Sequence, residues 1–75
     1  MMNNLQGSNM EMISVISSAI SAIGYDKLTQ QMSIKFKQGN TYSYCRVPEN
    51  IFLGFLSAMS KGTYYDCYIK DKFDC

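Results

Sequence analysis

The sequence predicts a small α+β domain, an antiparallel sheet of three to four strands with one helix packed on one face. Three observations carry that reading. Met32, Ile34 and Phe36 alternate with Ser33, Lys35 and Lys37, the period of a half-buried strand. Gln38-Gly39-Asn40 then supplies a turn signal, followed by the β-branched and aromatic stretch Thr41 to Val47. Beyond Pro48 the period changes, and Ile51, Phe52, Phe55, Leu56 and Met59 recur at helical spacing.

The elements follow in chain order. Residues 1–16 read as a flexible or oligomerisation arm and residues 17–75 as the folded domain. Within Glu11 to Tyr25 the signals conflict. Ile13, Ile16, Ile20 and Ile23 recur at spacings of three and four, which suits a helix face, while the Ile, Val and Ser content suits a strand. A strand over Ala19 to Tyr25 is the preferred reading, with the preceding turn left open. Asp26 to Gln30 is a polar connection into the Met32 strand. Pro48 and Glu49 suit a first helical turn, one through its fixed φ and the other through its charge near the dipole's positive end. Gly54 permits another backbone to approach, and Gly62 is a natural stop. Thr63 to Cys75 reads as a short edge strand or irregular tail.

A chain of 75 residues is one domain with a thin core, and small scaffolds usually need a staple. Three cysteines, Cys45, Cys67 and Cys75, lack Cys-x-x-Cys spacing, and histidine is absent, so no four-ligand zinc site of the usual kind can be assembled. The odd count argues against a closed disulfide framework and for free thiols in a reducing cytosol. That leaves self-association as the staple. A homo-oligomer is expected, given 47% hydrophobic residues, six methionines, six tyrosines and four phenylalanines. No apolar run is long enough to span a bilayer, and no basic residue precedes the serine-broken stretch Met12 to Ile23, so neither a membrane span nor a signal peptide is expected. The reading is a cytoplasmic protein without a cofactor.

The net charge of +1 excludes little, but Lys35, Lys37 and Arg46 fall in a stretch without acidic residues between Asp26 and Glu49. The face that Tyr42 and Tyr44 occupy decides what this stretch can do, because alternate residues of a strand face opposite ways. With a two-residue loop at Gln38-Gly39, Lys37 pairs with Asn40, and both tyrosines share the face of Lys35 and Lys37. A four-residue loop gives the same faces, whereas a three-residue loop puts the tyrosines with Ile34 and Phe36. Glycine at the second loop position favours the first case. Tyr42 and Tyr44 would then stack bases while Lys35, Lys37 and Arg46 hold phosphates, the chemistry of a single-stranded RNA or nucleotide platform.

From Ser17 onward the chain resembles the KTSC domain. The resemblance is carried by Ser17-Ser18, Ile20, Ile23-Gly24-Tyr25-Asp26, Met32-x-Ile34-x-Phe36 and Gly39. The Tyr-x-Tyr of Tyr42 and Tyr44, Val47-Pro48, Ser60-x-Gly62, Tyr64, Ile69 and Phe73 follow in order. The family takes its name from the C-terminus of some lysyl-tRNA synthetases and also occurs as small stand-alone proteins of bacteria and phages. The resemblance implies a fold and an expectation of RNA binding, with no catalytic residue to carry over. Two features depart from the pattern: the Met- and Asn-rich lead, and Asp66-Cys67 where more basic residues are expected.

An enzyme is not expected. No histidine can serve as a base near neutral pH, no nucleophile motif is present, and Ser17-Ser18 suits a turn or cap. Asp66, Asp71 and Asp74 interleave with Lys70 and Lys72 as a solvated mixed-charge face. The leading expectation is a non-enzymatic RNA- or nucleotide-binding module. The alternative is a phage-type homo-oligomer that sequesters a host protein or a nucleotide signal.

Overall fold

A computed structural model describes residues 10–75. The first nine residues, most of the arm expected over 1–16, lie outside the described residues. Four antiparallel strands form a meander in the order β1-β2-β3-β4. They are β1 (Met12–Ser14), β2 (Ile20–Asp26), β3 (Gln31–Phe36) and β4 (Thr41–Tyr44). The helix α1 (Glu49–Ser57), the short helix α2 (Lys61–Tyr64) and a π-helical turn, Tyr65–Ile69, follow. The α+β architecture expected from the sequence is the one observed, with a second short helix added. The sheet begins before Ser17, because Met12, Ile13 and Ser14 pair with Gly24, Ile23 and Ala22 of β2.

A β-bulge resolves the ambiguity over Glu11 to Tyr25. Ile20 pairs with Phe36 and Ala22 with Lys35, so Ser21 is the extra residue on β2. The bulge turns both Ile20 and Ile23 into the core, where each is fully buried. Their spacing of three therefore imitates a helix while belonging to a strand. The β2–β3 connection is closed by Asp26, whose Oδ1 accepts the Leu28 N–H at 2.9 Å, while its carbonyl accepts the Gln30 N–H at 2.7 Å.

The helices cover one sheet face. Ile20, Ile23, Met32, Ile34, Tyr44, Val47, Phe52, Phe55 and Ile69 form the core. Tyr25 stacks on Phe52 with ring centroids 4.6 Å apart and donates its hydroxyl to the Val47 carbonyl at 2.6 Å. Such a pair joins apolar burial to a satisfied polar tip, so β2 is fixed both to α1, through Phe52, and to the β4–α1 connection, through Val47. Pro48 caps α1 in an extended conformation, and Glu49 opens the helix. The expected stripe ends early, for Met59 lies past the helix and is fully exposed.

The C-terminal segment differs from the expected strand or tail. Tyr64 and Tyr68 sit four apart on a helical path, with ring centroids 4.7 Å apart, and Gly62 lies within α2 instead of ending a helix. The close approach at Gly54 is made by a side chain. A Cβ there would collide with the Tyr64 hydroxyl, which donates to the Ile51 carbonyl at 2.9 Å. After Ile69 the chain returns to β4, where the Cys45 N–H meets the Phe73 carbonyl at 2.9 Å. Cys45 and Cys75 form a disulfide, and Cys67 remains free and exposed. The reading of three free thiols is corrected on this point: an odd count accommodates one bridge and one thiol, and the returning tail brings the bridge together. Among the described residues, no helix is long and apolar enough to cross a membrane.

Candidate functional site

The expected stacking platform does not form, and the β3–β4 turn is the reason. The Phe36 N–H meets the Asn40 carbonyl and the Gly39 N–H meets the Phe36 carbonyl, both at 2.9 Å. The loop is therefore the three residues Lys37, Gln38 and Gly39. Gly39 takes its positive φ of 114° at the third loop position, where a three-residue hairpin needs it. Met32 faces Tyr44 and Ile34 faces Tyr42 across the ladder, so both tyrosines lie on the helix-covered side.

Tyr44 is only 6% exposed, and its hydroxyl lies 2.9 Å from that of Tyr65. Burial first, and the bond to Tyr65 second, hold its phenol well above the usual tyrosine range. Tyr42 is half exposed and meets Phe36 edge-on at 5.7 Å. Lys35 pairs with Thr41 and projects from the opposite face, and Lys37 stands in the turn. Arg46, at a φ of 56°, donates from Nη2 to the Asp74 carbonyl at 3.3 Å. The five residues Tyr42, Tyr44, Lys35, Lys37 and Arg46 are thus divided among two faces, a turn and the β4–α1 connection, where Arg46 bonds to the C-terminal tail.

A different group of residues converges. A cleft of about 390 Å³ opens between the β1–β2 connection and the α1–α2 junction. It is lined by Ser17 and Ser18, by Met59 to Thr63, and by Asp66 of the π-helical turn. Its walls are built by local bonding. Ser17 Oγ accepts the N–H groups of Ala19 and Ile20 at 3.1 and 3.2 Å, which fixes the entry to β2. Ser60 Oγ accepts the Thr63 N–H at 3.2 Å and donates to Thr63 Oγ1 at 2.9 Å, which caps α2. Lys61 Nζ donates to the Ala58 carbonyl at 2.6 Å. That bond uses one of the ammonium's three N–H groups and leaves two to turn elsewhere.

Gly62 is the informative residue of this cleft. A Cβ there would meet nothing within 4 Å, and its backbone lies outside the left-handed region. Neither packing nor conformation demands glycine, and glycine costs helical stability relative to alanine. What it supplies is an open wall. The cleft joins two sequence features more than forty residues apart, Ser17-Ser18 and Ser60-x-Gly62. Both carry the family resemblance, yet only α2, which the sequence does not announce, places them together.

The comparisons agree with this architecture. The KTSC domain model matches residues 16–73. A crystal structure of a KTSC domain protein from Yersinia pestis superposes with a TM-score of 0.83 at 44% identity, covering 85% of this chain and 90% of that one. A protein of Tsukamurella paurometabola is 41% identical over 59 residues, covering 79% of this chain and 88% of its own. A lysine–tRNA ligase of Nostoc punctiforme is 36% identical over 56 residues, 75% of this chain but 10% of the ligase. The chain belongs to the KTSC domain family.

Proposed function

We propose that this chain is a non-enzymatic binding module that holds a nucleotide, free or within an RNA strand, by its ribose and phosphate in the serine-lined cleft. The observation that carries the proposal is Gly62, a helical glycine that no contact and no backbone angle requires, in the wall of a cleft lined by hydroxyls. Its volume, about 390 Å³, falls in the range of small-ligand sites. The Ser18 and Thr63 hydroxyls suit sugar hydroxyls and phosphate oxygens, the Lys61 ammonium suits a phosphate, and the Asp66 carboxylate suits a sugar hydroxyl donor. Among the described residues no aromatic ring lines the cleft, so the base is held loosely and recognition rests on the sugar–phosphate part.

Amide chemical-shift titration with AMP, ribose 5-phosphate and a short oligouridylate tests this. Shifts confined to Ser17, Ser18 and Ser60 to Asp66 are expected, and Gly62→Leu should weaken binding at least tenfold while the fold persists. AMP and ribose 5-phosphate binding alike would mark a site for the sugar phosphate, and oligouridylate alone would mark an RNA site. Silence from all three at millimolar concentration would end the proposal.

A further inference from the structure

We propose that β1 pairs with the β1 of a second copy of this chain, making one continuous sheet across a two-fold axis. This inference is independent of the nucleotide reading. It starts from the alternation of an antiparallel ladder, in which successive residues turn their backbone groups to opposite sides. The Val15 N–H meets the Ser21 carbonyl at 3.1 Å, in the register that pairs Ile13 with Ile23. Ile13 and Val15 therefore turn their N–H and C=O groups toward β2, and Met12 and Ser14 turn theirs toward the free edge. The same alternation holds across the sheet. Phe36 and Asn40 bond to each other, and Cys45 presents its N–H outward, where Phe73 takes it. Among the described residues, no backbone group meets the outward groups of Met12 and Ser14.

A two-fold axis through Ile13 satisfies all of them. Met12 falls opposite the partner's Ser14, and Ser14 opposite the partner's Met12, each as a hydrogen-bonded pair. Ile13, which is 43% exposed, then closes against the partner's Ile13. Glu11 falls opposite the partner's Val15, so the edge does not set like charges against each other. Met12 to Tyr25 carries no charged residue and no proline, and β1 itself has no bulge, so three of the devices that keep sheet edges apart are missing. The occupant is a copy of this chain because one register satisfies both edges with the same residues. The strand spans three residues, so the contact comprises two hydrogen-bonded pairs and one Ile–Ile contact, and association depends on concentration.

Sedimentation equilibrium of the full chain from micromolar to millimolar concentration should show a monomer–dimer equilibrium. Ser14→Pro removes an outward N–H and leaves the bonds to β2 in place, a position that tolerates proline. It should keep the monomer's melting curve and weaken dimerisation at least tenfold. Ile13→Cys in a Cys67→Ser background gives a second readout that needs no loss of structure. Facing residues of a non-hydrogen-bonded pair lie about 4.5 Å apart at Cα, within disulfide reach, so mild oxidation should cross-link the chains. A monomer throughout the concentration range overturns the inference. So does a dimer whose Kd is unchanged by Ser14→Pro, or one lost only when residues 1–9 are removed.

Discussion

The two sides of this sheet are held by different means. Beyond β4 the chain returns and fastens the edge with the Cys45–Phe73 backbone bond and the Cys45–Cys75 disulfide. The helices behind that edge meet through rings with fixed partners: Tyr64 on Phe55 and the Ile51 carbonyl, Tyr65 against Tyr44 and Phe36. On the β1 side, Met10 and Met12 lie over Gly24 on the sheet face opposite the helices. A methionine side chain rotates about three bonds and refits itself to its surroundings, whereas a hydrogen-bonded ring cannot. The same kind of change should therefore cost much near β4 and little near β1.

The largest effect is expected where the tail is tied down. The disulfide closes a loop with a sequence separation of 30. Cys75→Ser, or reduction, should cost about 3.5 kcal/mol by loop-entropy reasoning. In a domain this small that lowers Tm by more than about 10 °C. Calorimetry with and without reductant measures it, and a change below about 2 °C would show that the tail holds itself to β4 without the bridge. Next comes Gly54→Ala. Its methyl meets the Tyr64 hydroxyl, the far end of a stiff ring bonded to Ile51. Overpacking of about 1–3 kcal/mol should outweigh the gain in helix propensity of about 1 kcal/mol. Chemical denaturation should show a net loss, and a gain would mean that α2 gives way readily.

A third effect is set by pH. Burial raises the phenols of Tyr44, Tyr25 and Tyr64 above the ordinary value of 10.0. The folded protein then keeps protons that the unfolded chain releases. This contribution to stability is complete below about pH 10 and is lost as pH rises through the folded values. Melting temperature should hold from pH 7 to 9 and fall beyond 10. Tyr44→Phe should flatten that fall at a cost of about 1 kcal/mol at neutral pH, the worth of its bond to Tyr65. An unchanged alkaline limb would remove Tyr44 from the account.

The harder features to read lie on both sides of the sheet, wherever the local pattern is weak or misleading. β3 was legible because Met32, Ile34 and Phe36 keep strict alternation, and α1 because Phe52, Phe55 and Leu56 keep helical spacing behind a proline. β2 was legible in position but carried a misleading period, since one bulge at Ser21 moves Ile20 onto the face of Ile23. The turn decided the site. Glycine marks a hairpin without fixing whether it sits second or third in the loop, and that one-residue difference moved Tyr42 and Tyr44 from the basic face to the core side. The cleft was illegible because α2 follows α1 so closely and carries lysine and glycine where a helix pattern needs apolar residues. Its hydroxyls are brought together by tertiary packing, which no local period records.

The smallest effect tests the adaptable side directly. A Cβ on Gly24 would sit 2.6 Å from Met12 Sδ and 2.8 Å from Met10 Cγ, closer than real side chains allow. On distance alone, Gly24→Ala looks nearly as damaging as Gly54→Ala. The difference lies in what must move. Both obstacles at Gly24 are atoms of flexible methionine side chains, with no hydrogen bond to break. Alanine also restricts the unfolded chain more than glycine does, and within a strand that offsets part of the crowding. Gly24→Ala should therefore change stability by less than about 0.5 kcal/mol, against a net loss of up to about 2 kcal/mol for Gly54→Ala. Parallel urea titrations measure both. If Gly24→Ala proves as costly as Gly54→Ala, the methionines are held in place by something on that face, and a second chain docked along β1 is the first occupant to look for, by repeating the titrations across protein concentration.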